Sequence, residues 1–182
     1  MNKFLAASAF FLLAGCTTAS IPPTADITLA APKRAALPAT TAPEGATVIR
    51  VIDGDTVRVR LDGVGTEEIV RLIGIDTPEI DWKKRKIACF ASEALARATE
   101  LLQGKQVSLH AKPEEDRDGY KRLLRYVHTG GEDIGARLLL EGYARNFPWF
   151  PHPRLDRYAA FDREARQANT GLWGACREED SE

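Results

Sequence analysis

Five charged side chains stand where local propensity alone would not put them. Asp55 follows the tight turn at Asp53-Gly54. Arg71 interrupts the apolar run Ile69 to Ile75, and Asp76 closes it in Asp76-Thr77-Pro78-Glu79. Arg122 directly precedes Leu123-Leu124. Two carboxylates at strand ends, completed by a main-chain carbonyl and waters, make a hard oxygen-only site suited to Ca²⁺ or Mg²⁺. Arginine grips a phosphate with two donors while staying charged. A glutamate just past the metal ligands, Glu79, can serve as general base. Together the five point to metal-assisted attack on a phosphodiester. Each taken singly also has a plain structural reading: a turn-stabilising Asp, an Asp before a bend at Pro, an outward-facing strand Arg, a surface Glu.

Such a set needs strand ends brought together. Thr47 to Ile52 and Thr56 to Leu61 are β-rich runs on either side of Asp53-Gly54, a strong hairpin signal. The second run alternates, with Val57, Val59 and Leu61 on one face and Arg58 and Arg60 on the other. Asp62-Gly63 turns the chain into a third strand, Ile69 to Ile75. Helical spacing follows at Ala94, Leu95, Ala98, Leu101 and Leu102, with Gly104 as its stop. Val107 to Ala111 and Leu123 to Val127 read as two further strands. Asp133 is placed to cap a short helix through Leu140, ended by Gly142, and Asp156 to Ala168 as a longer one. Strands, helix, strands and helices in that order favour an α+β domain with a small barrel over a parallel α/β sheet.

Three segments carry a resemblance to a known family. Ile52-Asp53-Gly54-Asp55-Thr56, Arg71 through Glu79, and Asp118-Gly119-Tyr120-Lys121-Arg122 resemble, in order and spacing, the staphylococcal nuclease (thermonuclease) family, and Gly171-Leu172-Trp173 is similar to its terminal signature. The resemblance covers about Ala46 to Trp173 and implies a five-stranded OB-type β-barrel with three α-helices. It also implies Ca²⁺-dependent hydrolysis of DNA and RNA that leaves 3′-phosphorylated products. By motif position Asp55 and Asp76 are the implied carboxylate ligands of Ca²⁺, with the Thr77 carbonyl as a third. Glu79 falls where the family orients or deprotonates the attacking water. Arg71 and Arg122 fall on the two arginines that hold the phosphate, and Tyr120 on a tyrosine that contacts a terminal phosphate. The sequence departs from the family where a Tyr-Val-Tyr segment is expected: Asn146-Phe147-Pro148-Trp149-Phe150 stands there instead. Trp149 or Phe150 can still stack on a base, since stacking needs a π-face and not a hydroxyl; core packing is the other reading. Gly119 replaces a lysine of the family, which removes one phosphate contact.

The N-terminal part reads differently. Lys3, the apolar run Phe4 to Leu13 and the ending Leu13-Ala14-Gly15-Cys16 have the shape of a signal peptide over residues 1–15, too short to span a bilayer. The ending resembles the lipobox of bacterial lipoproteins, so Cys16 is the expected lipidation site. Residues 16–45, rich in Ala, Thr and Pro, read as a flexible tether. The folded domain is expected over 46–176 and an acidic tail over 177–182. The expectation is an exported cell-envelope lipoprotein, membrane-anchored through its N-terminal lipid and monomeric.

With Cys16 assigned to lipid, Cys89 and Cys176 remain; in an exported domain an even pair fits one disulfide, with two unrelated buried thiols as the alternative. His110, His128 and His152 show no short metal-binding spacing and read as ordinary strand or loop residues. The 182-residue chain has a net charge of -1, which argues against a charge-driven DNA-coating protein. Within 46–176, 21 basic residues face 20 acidic ones, and Lys83-Lys84-Arg85-Lys86 forms a basic run beside the proposed site. A non-catalytic OB-fold nucleic-acid-binding module and an envelope interaction lipoprotein are the competing classes; neither needs the full set of five charged residues.

Overall fold

The structure, a computed structural model, describes residues 42–176. The signal peptide, the lipidated Cys16, the tether as far as residue 41 and the acidic tail lie outside the described residues. Among the described residues no helix is long and apolar enough to cross a membrane.

Five strands close into a barrel: β1 (Glu44–Asp53), β2 (Thr56–Leu61), β3 (Glu67–Leu72), β4 (Gln106–Ala111) and β5 (Leu123–Thr129). The sheet runs β3-β2-β1-β4-β5, antiparallel throughout. A parallel pairing of β3 with β5, through Val70↔Leu123, Arg71↔Leu124 and Leu72↔Arg125, closes it. Closure leaves these strands without an open edge. It also sets Arg71 beside the start of β5, two residues from Arg122.

The alternation read from β2 holds: Val57 and Val59 are fully buried, and Arg58 and Arg60 lie outside. Val48, Val70, Leu72, Leu109, Leu123 and Val127 complete the inner face. β1 begins at Glu44, before the expected domain boundary. Its first residues pair with β4, and the Glu44 carboxylate accepts from the buried Arg125 guanidinium at 2.7 and 3.0 Å.

Helix α1 (Ala91–Leu102) buries Ala94 and presses Ala98 and Leu102 against the barrel core. In α2 (Ile134–Leu140) Asp133 accepts the Ala136 N–H at 3.2 Å, the cap read from the sequence. Helix α3 (Leu155–Gln167) inserts Tyr158, which is fully buried. A single turn, α4 (Leu172–Ala175), leads to Cys176, disulfide-bonded to Cys89 just ahead of α1.

The apolar run Ile69 to Ile75 is not one strand. Gly74 has φ +77°, a left-handed conformation that breaks the ladder after Leu72. A Cβ at position 74 would stand 2.5 Å from the His152 ring, so this turn needs glycine for space as well as for dihedral freedom. Beyond it Ile75–Asp76 pairs with Arg145–Asn146 in a separate short ladder. The break turns Asp76 back toward Arg71 instead of carrying it out along the strand.

Candidate active site

The site is built on the ends of β1, β2 and β3 and the turn after Leu72. Asp55 is 5% exposed, although it follows a turn. Its burial comes from a close approach: a Cβ on Gly54 would stand 2.7 Å from the Thr77 hydroxyl oxygen, so only glycine lets the Asp76–Pro78 segment pack here. The Asp55 carboxylate accepts the Thr77 N–H at 3.0 Å, the Thr77 hydroxyl at 3.2 Å and the Thr56 hydroxyl at 3.0 Å. Burial pushes its carboxyl above the ordinary carboxylate range; the Arg71 charge pulls the other way, and nearby Asp53 adds to the rise.

Arg71 holds two carboxylates with one guanidinium. Its Nη1 lies 2.7 Å from Asp55 Oδ2, and its Nη2 donates to Asp76 Oδ1 at 3.1 Å. A positive group therefore already occupies the point on which the two carboxylates converge. The same two carboxylates, one of them buried, offer the oxygen donors and negative charge that a hard cation takes. The residues fit a divalent cation by donor chemistry. Among the described residues no group of three or more His, Cys, Asp and Glu side chains is gathered to hold a metal, so a bound ion would depend on Asp55, Asp76, a backbone carbonyl such as that of Thr77, and water.

Arg122, the residue just before β5, joins the same network. Its Nη1 donates to Thr56 Oγ1 at 3.4 Å, and Thr56 in turn donates to Asp55. Asp118 aims it: one carboxylate oxygen accepts the Tyr120 and Arg122 N–H groups at 2.9 Å each, and the other accepts Arg122 Nε at 2.7 Å. Burial raises the Asp118 carboxyl, but the bonds from Arg122 and Tyr120 outweigh it and hold the group below its usual value. The Tyr120 ring, 85% exposed, sits with its centroid 5.4 Å from the Arg122 guanidinium carbon.

Arg71, Arg122, Tyr120 and Phe150 line one cleft of about 330 Å³, with Leu72, Leu124 and Phe147 among its apolar walls. The two arginines and the apolar wall suit a phosphate with a base attached. Trp149, 77% exposed, is not part of that wall. Glu79 is exposed and opens onto a different concavity of about 140 Å³, shared with Asp53, Gly54, Pro78 and Trp82. The structure thus gathers Asp55, Arg71, Asp76, Thr77 and Arg122 in one network, while Glu79 lines a separate concavity.

Three supporting residues escaped the sequence reading. Thr56 links the two arginine systems, and its only signal is its place after Asp55. Asp118 was visible in the motif but not as the group that orients Arg122. His152 is buried; its Nδ1 shares a hydrogen bond of 2.9 Å with the Tyr126 hydroxyl, its ring meets Tyr158 edge-on at 5.5 Å, and it wedges against Gly74. It braces the turn between Arg71 and Asp76. Distance in sequence hid that role.

Comparison with known proteins places the chain in a family. Residues 69–175, more than half of the chain, match the family described as staphylococcal nuclease homologue. The chain is 33% identical over 127 residues to the thermonuclease of Staphylococcus hyicus, covering 69% of this chain and 73% of that protein. It is 31% identical over 129 residues to the endonuclease YncB and, over the same length, to the SPbeta prophage-derived endonuclease YokF, both of Bacillus subtilis (strain 168). These alignments cover 70% of this chain but 60% and 43% of the two Bacillus proteins, so the chain spans only part of their length.

Proposed function

The chain belongs to the staphylococcal nuclease family, and we propose that it is a calcium-dependent endonuclease that hydrolyses DNA and RNA to 3′-phosphate products. One observation carries the reading: a single guanidinium spans the buried Asp55 and the neighbouring Asp76 beside a cleft that Arg122 also lines. A binding module has no need to bury a carboxylate against an arginine at the mouth of its groove. The curated relatives named as nucleases support the same reading.

Asp55, Asp76 and the Thr77 carbonyl would hold Ca²⁺. When bound, the ion supplies Lewis acidity toward a non-bridging phosphate oxygen. Arg71 and Arg122 present donors to the phosphate and offset the charge that grows on its oxygens as water adds to phosphorus. Glu79 takes the proton of the attacking water, a step typically worth about 10²–10⁴-fold. The new bond is from water oxygen to phosphorus, the bond broken is phosphorus to the 5′ oxygen, and that oxygen takes a proton from solvent water as it leaves. Tyr120 contacts a terminal phosphate, and Phe150 offers a face to a base; Trp149, exposed beside it, is the second candidate for stacking.

Export and lipid attachment at Cys16 complete the proposal, which describes a monomeric enzyme held at the cell envelope. The signal-like run and Leu13-Ala14-Gly15-Cys16 support it. A Cys16→Ser chain is expected in the soluble fraction and the parent chain with membranes. The catalytic reading is tested by end-group analysis of oligonucleotides incubated with the purified chain and Ca²⁺. New termini carrying 3′-phosphate support it, and intact strands overturn it.

A further inference from the structure

The hairpin after Glu79 carries a tryptophan that the proposed chemistry does not use. Ile80–Asp81 pairs antiparallel with Lys86–Ile87. The Asp81 carboxylate accepts the N–H groups of Lys83 and Lys84 at 3.0 Å each, which closes the turn. The base of the hairpin is tied as well: the Ala88 N–H donates to the Glu79 carbonyl at 3.1 Å, and the next residue, Cys89, is bonded to Cys176. On this braced loop Trp82 is 74% exposed and Ile87 61% exposed, beside the run Lys83-Lys84-Arg85-Lys86. A large aromatic face presented to water among consecutive cations is costly to leave bare and suits a partner that is both flat and anionic.

Position decides what that partner is. Trp82 borders two concavities: one of about 140 Å³ shared with Glu79, the other of about 270 Å³ formed with Ile80, Asp81, Arg85 and Ile87. Neither shares a lining residue with the cleft of Arg71, Arg122 and Phe150. The segments that separate them in the chain, Asp55 and Asp76-Thr77, are the candidate metal ligands. A strand whose scissile phosphate lies on the two arginines has one neighbouring base in the Phe150 cleft. Glu79, three residues after Asp76, lines one concavity together with Trp82, so a strand that continues past the candidate ligands toward Glu79 would meet the hairpin next.

We propose that Trp82 is a base-stacking residue for the nucleotide on the far flank of the scissile phosphate, with the Lys83–Lys86 run meeting that flank's phosphates. The inference rests on the nuclease reading of the site and adds a second base subsite to it. Stacking needs only a π-face, so the subsite is indifferent to base identity. The cations supply local positive charge that a chain of net charge -1 lacks as a whole.

The test measures binding of a labelled single-stranded DNA 12-mer to the full chain in the presence of chelator, where no turnover is needed. Trp82→Ala is expected to weaken binding about tenfold and Trp82→Phe by less than about twofold, because phenylalanine keeps a stacking face. Replacing the bases of one flank with abasic sugars should make parent and Trp82→Ala bind alike, while the same change on the other flank preserves their difference. Equal binding of the 12-mer by parent and Trp82→Ala overturns the inference. So does an alanine variant that binds the 12-mer normally but loses affinity for phosphatidylglycerol vesicles, which would make the hairpin a membrane contact. Cleavage assays separate the two readings. Cleavage with no Trp82 effect on binding sinks this inference alone; Trp82-dependent binding with no Ca²⁺-dependent cleavage sinks the nuclease reading alone.

Discussion

Arg71 Nη1 lies 2.7 Å from Asp55 Oδ2, a short ion pair between side chains only 14% and 7% exposed. A carboxylate held there in water-poor surroundings is stable as an anion only with a cation beside it. Arg71 supplies that charge here.

Removing the guanidinium should therefore be felt in stability before any substrate is added. Arg71→Met leaves Asp55 buried without its partner; the carboxyl then rises further and takes up a proton, so the stability lost relative to the parent is expected to be small below pH 7 and to grow as pH rises above it. Saturating Ca²⁺ should recover part of the loss, because a second cation reaches the same carboxylate. Urea unfolding with Ca²⁺ and with chelator reads both effects. Arg71→Lys keeps the charge but loses the two-donor fork, and its kcat is expected to fall about 10²–10³-fold.

Glu79 makes a separate prediction because it stands apart from the arginines. Glu79→Gln preserves size and polarity but cannot accept a proton. Its kcat is expected to fall about 10²–10⁴-fold, with KM within a small factor of the parent. Unchanged turnover would remove Glu79 from the chemistry.

A histidine pair on the barrel wall predicts a pH dependence of stability. His110 on β4 and His128 on β5 stack with ring centroids 4.2 Å apart. Arg154 Nη1 lies 2.8 Å from His128 Nε2, and Ser108 Oγ 3.1 Å from His110 Nε2. Burial lowers both imidazoles; the Arg154 charge lowers both further, His110 and Arg157 add to the effect on His128, and Asp133 opposes it for each. The folded values lie below 6.5, so the unfolded chain binds more protons in the window just below that pH. The pair's contribution is fully present above pH 6.5 and is lost as pH falls through the folded values. Urea midpoints at pH 7.5 and 5.5 should differ less in His110→Gln/His128→Gln than in the parent.

The Cys89–Cys176 bridge spans a sequence separation of 87 residues. In the chain-entropy picture closing a loop of that length contributes about 4.6 kcal/mol. Reduction should lower the urea midpoint accordingly. The bond also tethers the start of α1 next to Ala88, so reduction is expected to speed amide exchange across Ile80 to Ala88 more than across β2.

Much of the barrel was legible because it rests on local rules. Period-two alternation at Val57, Val59 and Leu61 marked a half-buried strand, and Asp133 marked its helix start by residue type. The break at Gly74 was not legible, since a left-handed glycine inside an apolar run looks like more strand. The ring packed against it, His152, sits 78 residues later in the chain. In the site, residue types and spacing exposed Asp55, Asp76 and the arginines. The sharing of one guanidinium by two carboxylates depends on the turn at Gly74 and could not be read. Trp82 escaped for another reason: what matters about it is its exposure, and aromatic side chains in sequence read most readily as core.

The central claim is that the Asp55–Asp76 pair holds the ion that activates cleavage. The most direct measurement is the initial rate of single-stranded DNA hydrolysis by the full chain across a Ca²⁺ titration, for the parent and for Asp76→Asn. The parent is expected to be silent in chelator and to saturate with Ca²⁺, while the variant needs much more Ca²⁺ to reach half its maximum. Cleavage that persists in chelator, or an Asp76→Asn titration that overlays the parent's, would contradict it.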